Sequence, residues 1–149
     1  MKYGTIAQLM HEANKWMRQV PPAVVVQRAL GPEDVRWEAD LGSGYHLVRL
    51  LSPEALDAET LALRHCIGRG SYDANLARAG YEYLSVRDSE GTPVATLEVV
   101  HRSLVQCRGV RNADASPEVM VLVDRFMFAR AEADDREFEA TQEAAGRCP

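Results

Sequence analysis

His65 and Cys66 are adjacent, and Glu98 lies in a later segment of alternating polar and apolar residues. A histidine exchanges its proton near neutral pH, so His65 with Glu98 is a candidate acid/base pair. Cys66 would need a lowered pKa and a neighbouring base to act as a nucleophile, and the end of a helix disfavours a thiolate. It reads better as a small packing residue. His65, Cys66, Glu98 and His101 form no recurring metal-ligand spacing, so neither a metal nor a cofactor is expected. Arg64, Arg69, Arg87, Arg108 and Arg111 carry the forked donors that hold phosphate or carboxylate, and Tyr72 and Tyr83 could stack a base. Glycines 68, 70, 80 and 109 match no phosphate-binding loop and read as caps and turns.

These residues need elements to position them. Ile6, Leu9, Met10, Trp16 and Met17 make a helical stripe over residues 5–19, stopped by Pro21-Pro22. Residues 23–31 are ambiguous between strand and helix. Val35, Trp37 and Ala39 alternate with charged residues, and Gly42-Ser43-Gly44 then leads into Tyr45–Leu51, the pattern of a β-hairpin. Ser52-Pro53-Glu54 is a helix start, with Ser52 as cap and Pro53 at the first position, for a helix running to about Cys66. A second short helix is expected over YDANLARA, stopped by Gly80. From Tyr81 the period changes to two, predicting a three-stranded antiparallel meander to Gly109. Ser116-Pro117-Glu118 repeats the helix start and launches a long helix with Val119, Met120, Leu122, Val123, Phe126 and Met127 on its apolar side. The expected fold is α+β: a hairpin and a meander packed with about four helices, as one domain over residues 1–130. Residues 131–149 form an acidic helical extension or tail.

Alternation divides the meander into two faces. Leu84, Val86, Ala95, Leu97, Val99, Val105 and Cys107 are expected against helices. Tyr83, Ser85, Arg87, Thr96, Glu98, Gln106 and Arg108 then share the other face. An antiparallel sheet commonly turns one face to water. Hydroxyls and amides around one Glu and two Arg, however, also suit a directed hydrogen-bond network.

The bulk properties exclude several classes. The 149 residues amount to one ordinary domain. No apolar run approaches a membrane span and the first residues resemble no signal peptide, so a cytoplasmic protein with no membrane partner is expected. Cys66, Cys107 and Cys148 are widely spaced, without a disulfide framework. The formal net charge of -5 is uneven. Residues 131–149 hold six acids and two arginines, whereas residues 60–112 hold seven arginines and five acids. Broad nonspecific binding of duplex is therefore disfavoured, while an anionic ligand at the basic centre is allowed.

One string of residues carries a family resemblance. His65-Cys66-Ile67-Gly68, Tyr72, Gly80, Ser85-Val86-Arg87-Asp88, Ala95-Thr96-Leu97-Glu98-Val99, Val105-Gln106, Gly109 and Asn112 together resemble the PcfJ-like proteins, which are associated with plasmids, phages and conjugation gene clusters. The resemblance covers roughly residues 50–127, and Arg69-Gly70 departs from it as an apparent insertion before Ser71-Tyr72. It implies that His65, Cys66, Thr96, Glu98, Gln106 and Asn112 belong to one site, and it names no reaction.

Two functional expectations follow. The first is an accessory or binding module whose polar pocket takes a nucleotide, single-stranded nucleic acid or a protein partner through Tyr72, Tyr83, Ser85, Arg87, Thr96, Gln106, Arg108 and Asn112. The second is a small hydrolase or transferase on a phosphate-containing substrate, with His65 and Glu98 as acid and base. A closed pocket around a perturbed His65 or Glu98 would favour catalysis, and a flat face would favour binding. The last helix, with Met120, Phe126, Met127 and Phe128, offers a surface for a homodimer.

Overall fold

A computed structural model describes residues 28–68 and 70–147. The expected helix over residues 5–19, most of the ambiguous segment 23–31, and Cys148 lie outside the described residues.

Five antiparallel strands pair in chain order: β1 (Val35–Gly42), β2 (Tyr45–Leu50), β3 (Tyr81–Arg87), β4 (Pro93–Val100) and β5 (Ser103–Arg108). Gly42, Ser43 and Gly44 all take positive φ, which is why the first turn needs its glycines. Between the hairpin and the meander runs helix α1 (Pro53–Leu63). Its cap is the expected one: Ser52 Oγ accepts from the Ala55 amide at 3.2 Å and donates to buried Asp34 at 2.6 Å. Helix α2 (Pro117–Ala145) starts in the same way, with Ser116 accepting from the Val119 amide. The acidic end is thus helical to Ala145.

The sheet is sandwiched between the two helices, and alternation decides which residues each one meets. Leu47, Leu84, Val86, Ala95, Leu97, Val99 and Cys107 meet Val119, Leu122 and Val123 of α2 in one core. On the opposite face Leu50 and Tyr83 pack with Ala55 and Leu56 of α1 and with Ile67. The outer half of α2 is tied to the sheet by charge. Arg130 makes two bonds to Glu82, at 2.7 and 2.8 Å, and Arg49 joins Glu82 to Glu38. Phe128, by contrast, is 67% exposed.

Three expectations need correction. Among the described residues there are two α-helices rather than the four or so expected: the one over residues 5–19 lies outside them, and YDANLARA forms only a 3-10 helix, Asp73–Ala77, with no buried residue. Eight residues held between glycines, without an apolar stripe, bury too little to sustain an α-helix. Val105 does not face the core but is 58% exposed. A bulge between Glu98 and Val99 pairs Glu98 with Gln106 and Val99 with Leu104, so Leu104 packs inward in its place. Cys66 is exposed, whereas Cys107 is buried. Helix α1 ends at Leu63, and the left-handed Arg64 (φ 54, ψ 41) turns the chain so that His65 points in and Cys66 out.

Candidate functional site

The face of the meander turned to α1 carries Tyr83, Ser85, Thr96, Glu98, Gln106 and Arg108, although the bulge shifts the register beyond Gln106. Ser85 pairs with Thr96 and Thr96 with Arg108, in one row, and Tyr83 pairs with Glu98 and Glu98 with Gln106, in the next. This face is not solvated. Ser85 is fully buried, and Tyr83, Thr96 and Glu98 are buried with it under α1 and the loop that follows.

That loop is held close by Gly68. A Cβ at this position would lie 2.6 Å from Thr60 Oγ1 and 2.9 Å from the Asp57 Cα, so only glycine lets the chain turn back onto α1. The Gly68 amide also donates to Thr60 Oγ1. The return of the chain seals His65, which is 2% exposed, against β4. On the far side, Arg111 and Asn112 take consecutive left-handed conformations in the 3-10 turn Val110–Asn112. Strain of this kind is tolerated where the surrounding structure imposes it, and it sets Asn112 opposite Cys66.

A half-open cleft lies between these segments, lined by His65, Cys66, Ile67, Tyr72, Thr96, Glu98, Gln106, Arg108 and Asn112. It encloses a cavity of about 30 Å³ and opens into about 310 Å³ of free space counted out to solvent. That interior has room for about two waters.

Two hydrogen-bond systems form its walls. In the first, Tyr83 donates to Glu98 Oε1 at 3.1 Å, Gln106 donates to Glu98 Oε2 at 2.7 Å, and Asn75 donates to the Tyr83 hydroxyl at 3.0 Å. Burial pushes the Tyr83 phenol up to about 12, so it remains a donor. Tyr72 packs edge-on to Tyr83 with ring centres 5.8 Å apart. In the second, His65 Nε2 lies 2.7 Å from Thr96 Oγ1, and Thr96 donates to Glu59 Oε1 at 2.8 Å. Burial lowers the His65 imidazole to about 4 and raises the Glu59 carboxyl above its ordinary value. Arg87 Nη2 stands 3.7 Å from Glu59 Oε2.

The site residues expected from sequence therefore divide. His65, Glu98, Tyr72, Thr96, Gln106, Arg108 and Asn112 all line the cleft. Tyr83 supports Glu98 from behind, and Ser85 and Arg87 lie on the same face outside the lining, with Arg87 beside Glu59. Arg108 is ion-paired with Asp114. No hydrogen bond joins His65 to Glu98; His65 connects instead, through Thr96, to Glu59. Sequence reasoning passed over Glu59, although a signal was present. It lies four residues after Ala55, three after Leu56 and four before Leu63, in the stripe that α1 buries. Among the described residues no cluster of three or more His, Cys, Asp or Glu could hold a metal, and no helix is long and apolar enough to cross a membrane.

A protein-family model described as PcfJ-like protein matches residues 37–121, which is more than half of the chain and includes every residue lining the cleft. No curated protein and no solved structure matches the chain.

Proposed function

The chain belongs to the PcfJ-like protein family, and we propose that it is a binding module whose cleft takes the edge of a base from single-stranded nucleic acid. One observation carries this reading: the walls present hydrogen-bonding groups of both kinds around a carboxylate and a neutral imidazole. Glu98 is held by Tyr83 and Gln106, Asn112 stands opposite, and His65 is uncharged at neutral pH. A carboxylate held by two donors beside a neutral histidine repels phosphate and attracts N–H donors. A base edge therefore suits the interior better than an anion does. The phosphates would lie outside, against the exposed Arg64 and Arg111 that flank the lining residues His65 and Asn112 in the chain. The small interior fits an edge rather than a whole nucleotide.

The hydrolase or transferase reading, with His65 and Glu98 as acid and base, has less support. A histidine lowered to about 4 is a weak base at neutral pH, when a catalytic group should titrate near the working pH. Assembly forms a smaller part of the reading: the exposed Phe128 of α2 is where a second copy would pack.

The test is fluorescence anisotropy with labelled single-stranded homopolymers and a duplex control at two salt concentrations. The wild type should bind single strands with a preference among bases. Gln106→Ala and Asn112→Ala should each weaken binding about tenfold and flatten that preference, and Arg111→Ala should reduce the dependence on salt. Absence of single-strand binding, or affinity indifferent to both cleft variants, would overturn the proposal.

A further inference from the structure

The Glu59, Thr96 and His65 chain has a polarity that bears on what the cleft can bind. With Glu59 ionised, Thr96 Oγ1 donates its one proton to Glu59 Oε1, 2.8 Å away, so toward His65, at 2.7 Å, it can only accept. His65 Nε2 must then carry the ring proton. Nδ1 is left with a lone pair, and it is buried with no hydrogen-bonding group beside it other than the residue's own backbone, in a residue that lines the cleft. A buried polar atom left unpaired inside a fold is costly, which points to a partner arriving from outside.

We propose that Glu59, acting through the Thr96 hydroxyl, holds His65 as the Nε2–H tautomer, so that Nδ1 is the acceptor offered to an N–H donor on the ligand. We include its corollary: protonation of the trio reverses the relay and makes Nδ1 a donor. The ligand part rests on the base-edge reading above.

The reversal balances in protons. One proton enters from solvent at Nδ1; the Nε2 proton passes to Thr96 Oγ1 as the Thr96 proton passes to Glu59 Oε1. The trio goes from one negative charge to none, and no imidazolium persists. Burial of Glu59 favours the protonated state. Arg87, from β3, at 3.7 Å from Glu59 Oε2, favours the ionised one. Glu98, Arg108, Cys66 and Tyr72 are the other titratable or charged groups that share the cleft with His65. Glu59 touches no ligand in this scheme and is a positioning residue.

Long-range ¹H–¹⁵N correlation spectra read the tautomer of each histidine, with His65 assigned by its loss in His65→Gln. In the wild type near neutral pH the His65 signals should be those of Nε2–H. On acidification they should change over to Nδ1–H before any imidazolium forms. Glu59→Gln, which keeps the shape, should abolish the changeover and leave one tautomer until the ring becomes charged. Thr96→Ser, which keeps the hydroxyl, should retain it. A single-stranded oligonucleotide should shift the His65 Nδ1 signal in the wild type. An Nδ1–H tautomer at neutral pH, or an identical titration in wild type and Glu59→Gln, would overturn the inference. The tautomer is read without ligand, so failure of the oligonucleotide arm alone counts against the base-edge reading and not against the relay.

Discussion

Acidification should destabilise the fold through His65 by an amount that its burial sets. An exposed histidine titrates near 6.5, whereas His65 in the fold is lowered to about 4, because the ring is sealed under the loop after α1 and desolvation penalises its charged form. The unfolded chain therefore takes up the proton first. His65's contribution to stability is fully present above pH 6.5 and is lost as pH falls toward 4. With ~1.4 kcal/mol per unit, the full difference is about 3.5 kcal/mol, of which about 2.5 kcal/mol is spent by pH ~4.5. Glu59 works in the opposite sense. Its raised folded pKa adds stability as pH falls through that value, complete below the ordinary carboxylate range. Urea unfolding followed by circular dichroism, for Glu59→Gln with and without His65→Gln at pH about 7 and about 4.5, isolates the histidine, since the carboxyl that shares its relay is absent from both. The stability of Glu59→Gln relative to the double variant should shrink by about 2.5 kcal/mol between the two. A difference that is independent of pH, or that grows toward acid, would refute the account of a buried neutral His65.

Other perturbations test how the site is positioned. Gly68→Ala drives a Cβ to 2.9 Å from the Asp57 backbone, so it should cost about 1–3 kcal/mol in thermal or urea unfolding and weaken oligonucleotide binding, because the His65 loop must lift. Glu82→Gln removes the anion that Arg49 and Arg130 share and should cost about 2–3 kcal/mol, against about 1–2 kcal/mol for Arg130→Met, which removes one partner only. Both are read by urea unfolding, and both should leave the cleft residues' spectra unchanged. Leu104→Ala should cost about 2 kcal/mol and Val105→Thr less than about 0.5 kcal/mol, an order that only the bulged register of β5 predicts.

Most of the site was legible because a strand repeats every two residues. Once β3, β4 and β5 were recognised, alternation alone put Tyr83, Ser85, Thr96, Glu98, Gln106 and Arg108 on one face; which of them stand opposite one another shows only in the pairing. The bulge was not legible, since Leu104 and Val105 are both apolar and either could face the core; the extra residue shows only in the pairing. Glu59 was missed for a different reason. An acidic residue in a helix is normally read as solvated, yet its place in the stripe of Ala55, Leu56 and Leu63 puts it underneath. Cys66 was misplaced because the helix was carried too far. The left-handed Arg64 that ends it is not a residue type that signals a cap.

The central claim, that the cleft is a binding site for the edge of a base, is met most directly by titrating the ¹⁵N-labelled chain with a single-stranded oligonucleotide and mapping amide shifts. The account predicts saturable changes concentrated on His65, Cys66, Ile67, Tyr72 and the segment from Gln106 to Asn112, with α2 unmoved. Changes confined to α2, or none at concentrations that saturate an authentic single-strand binder, would contradict it.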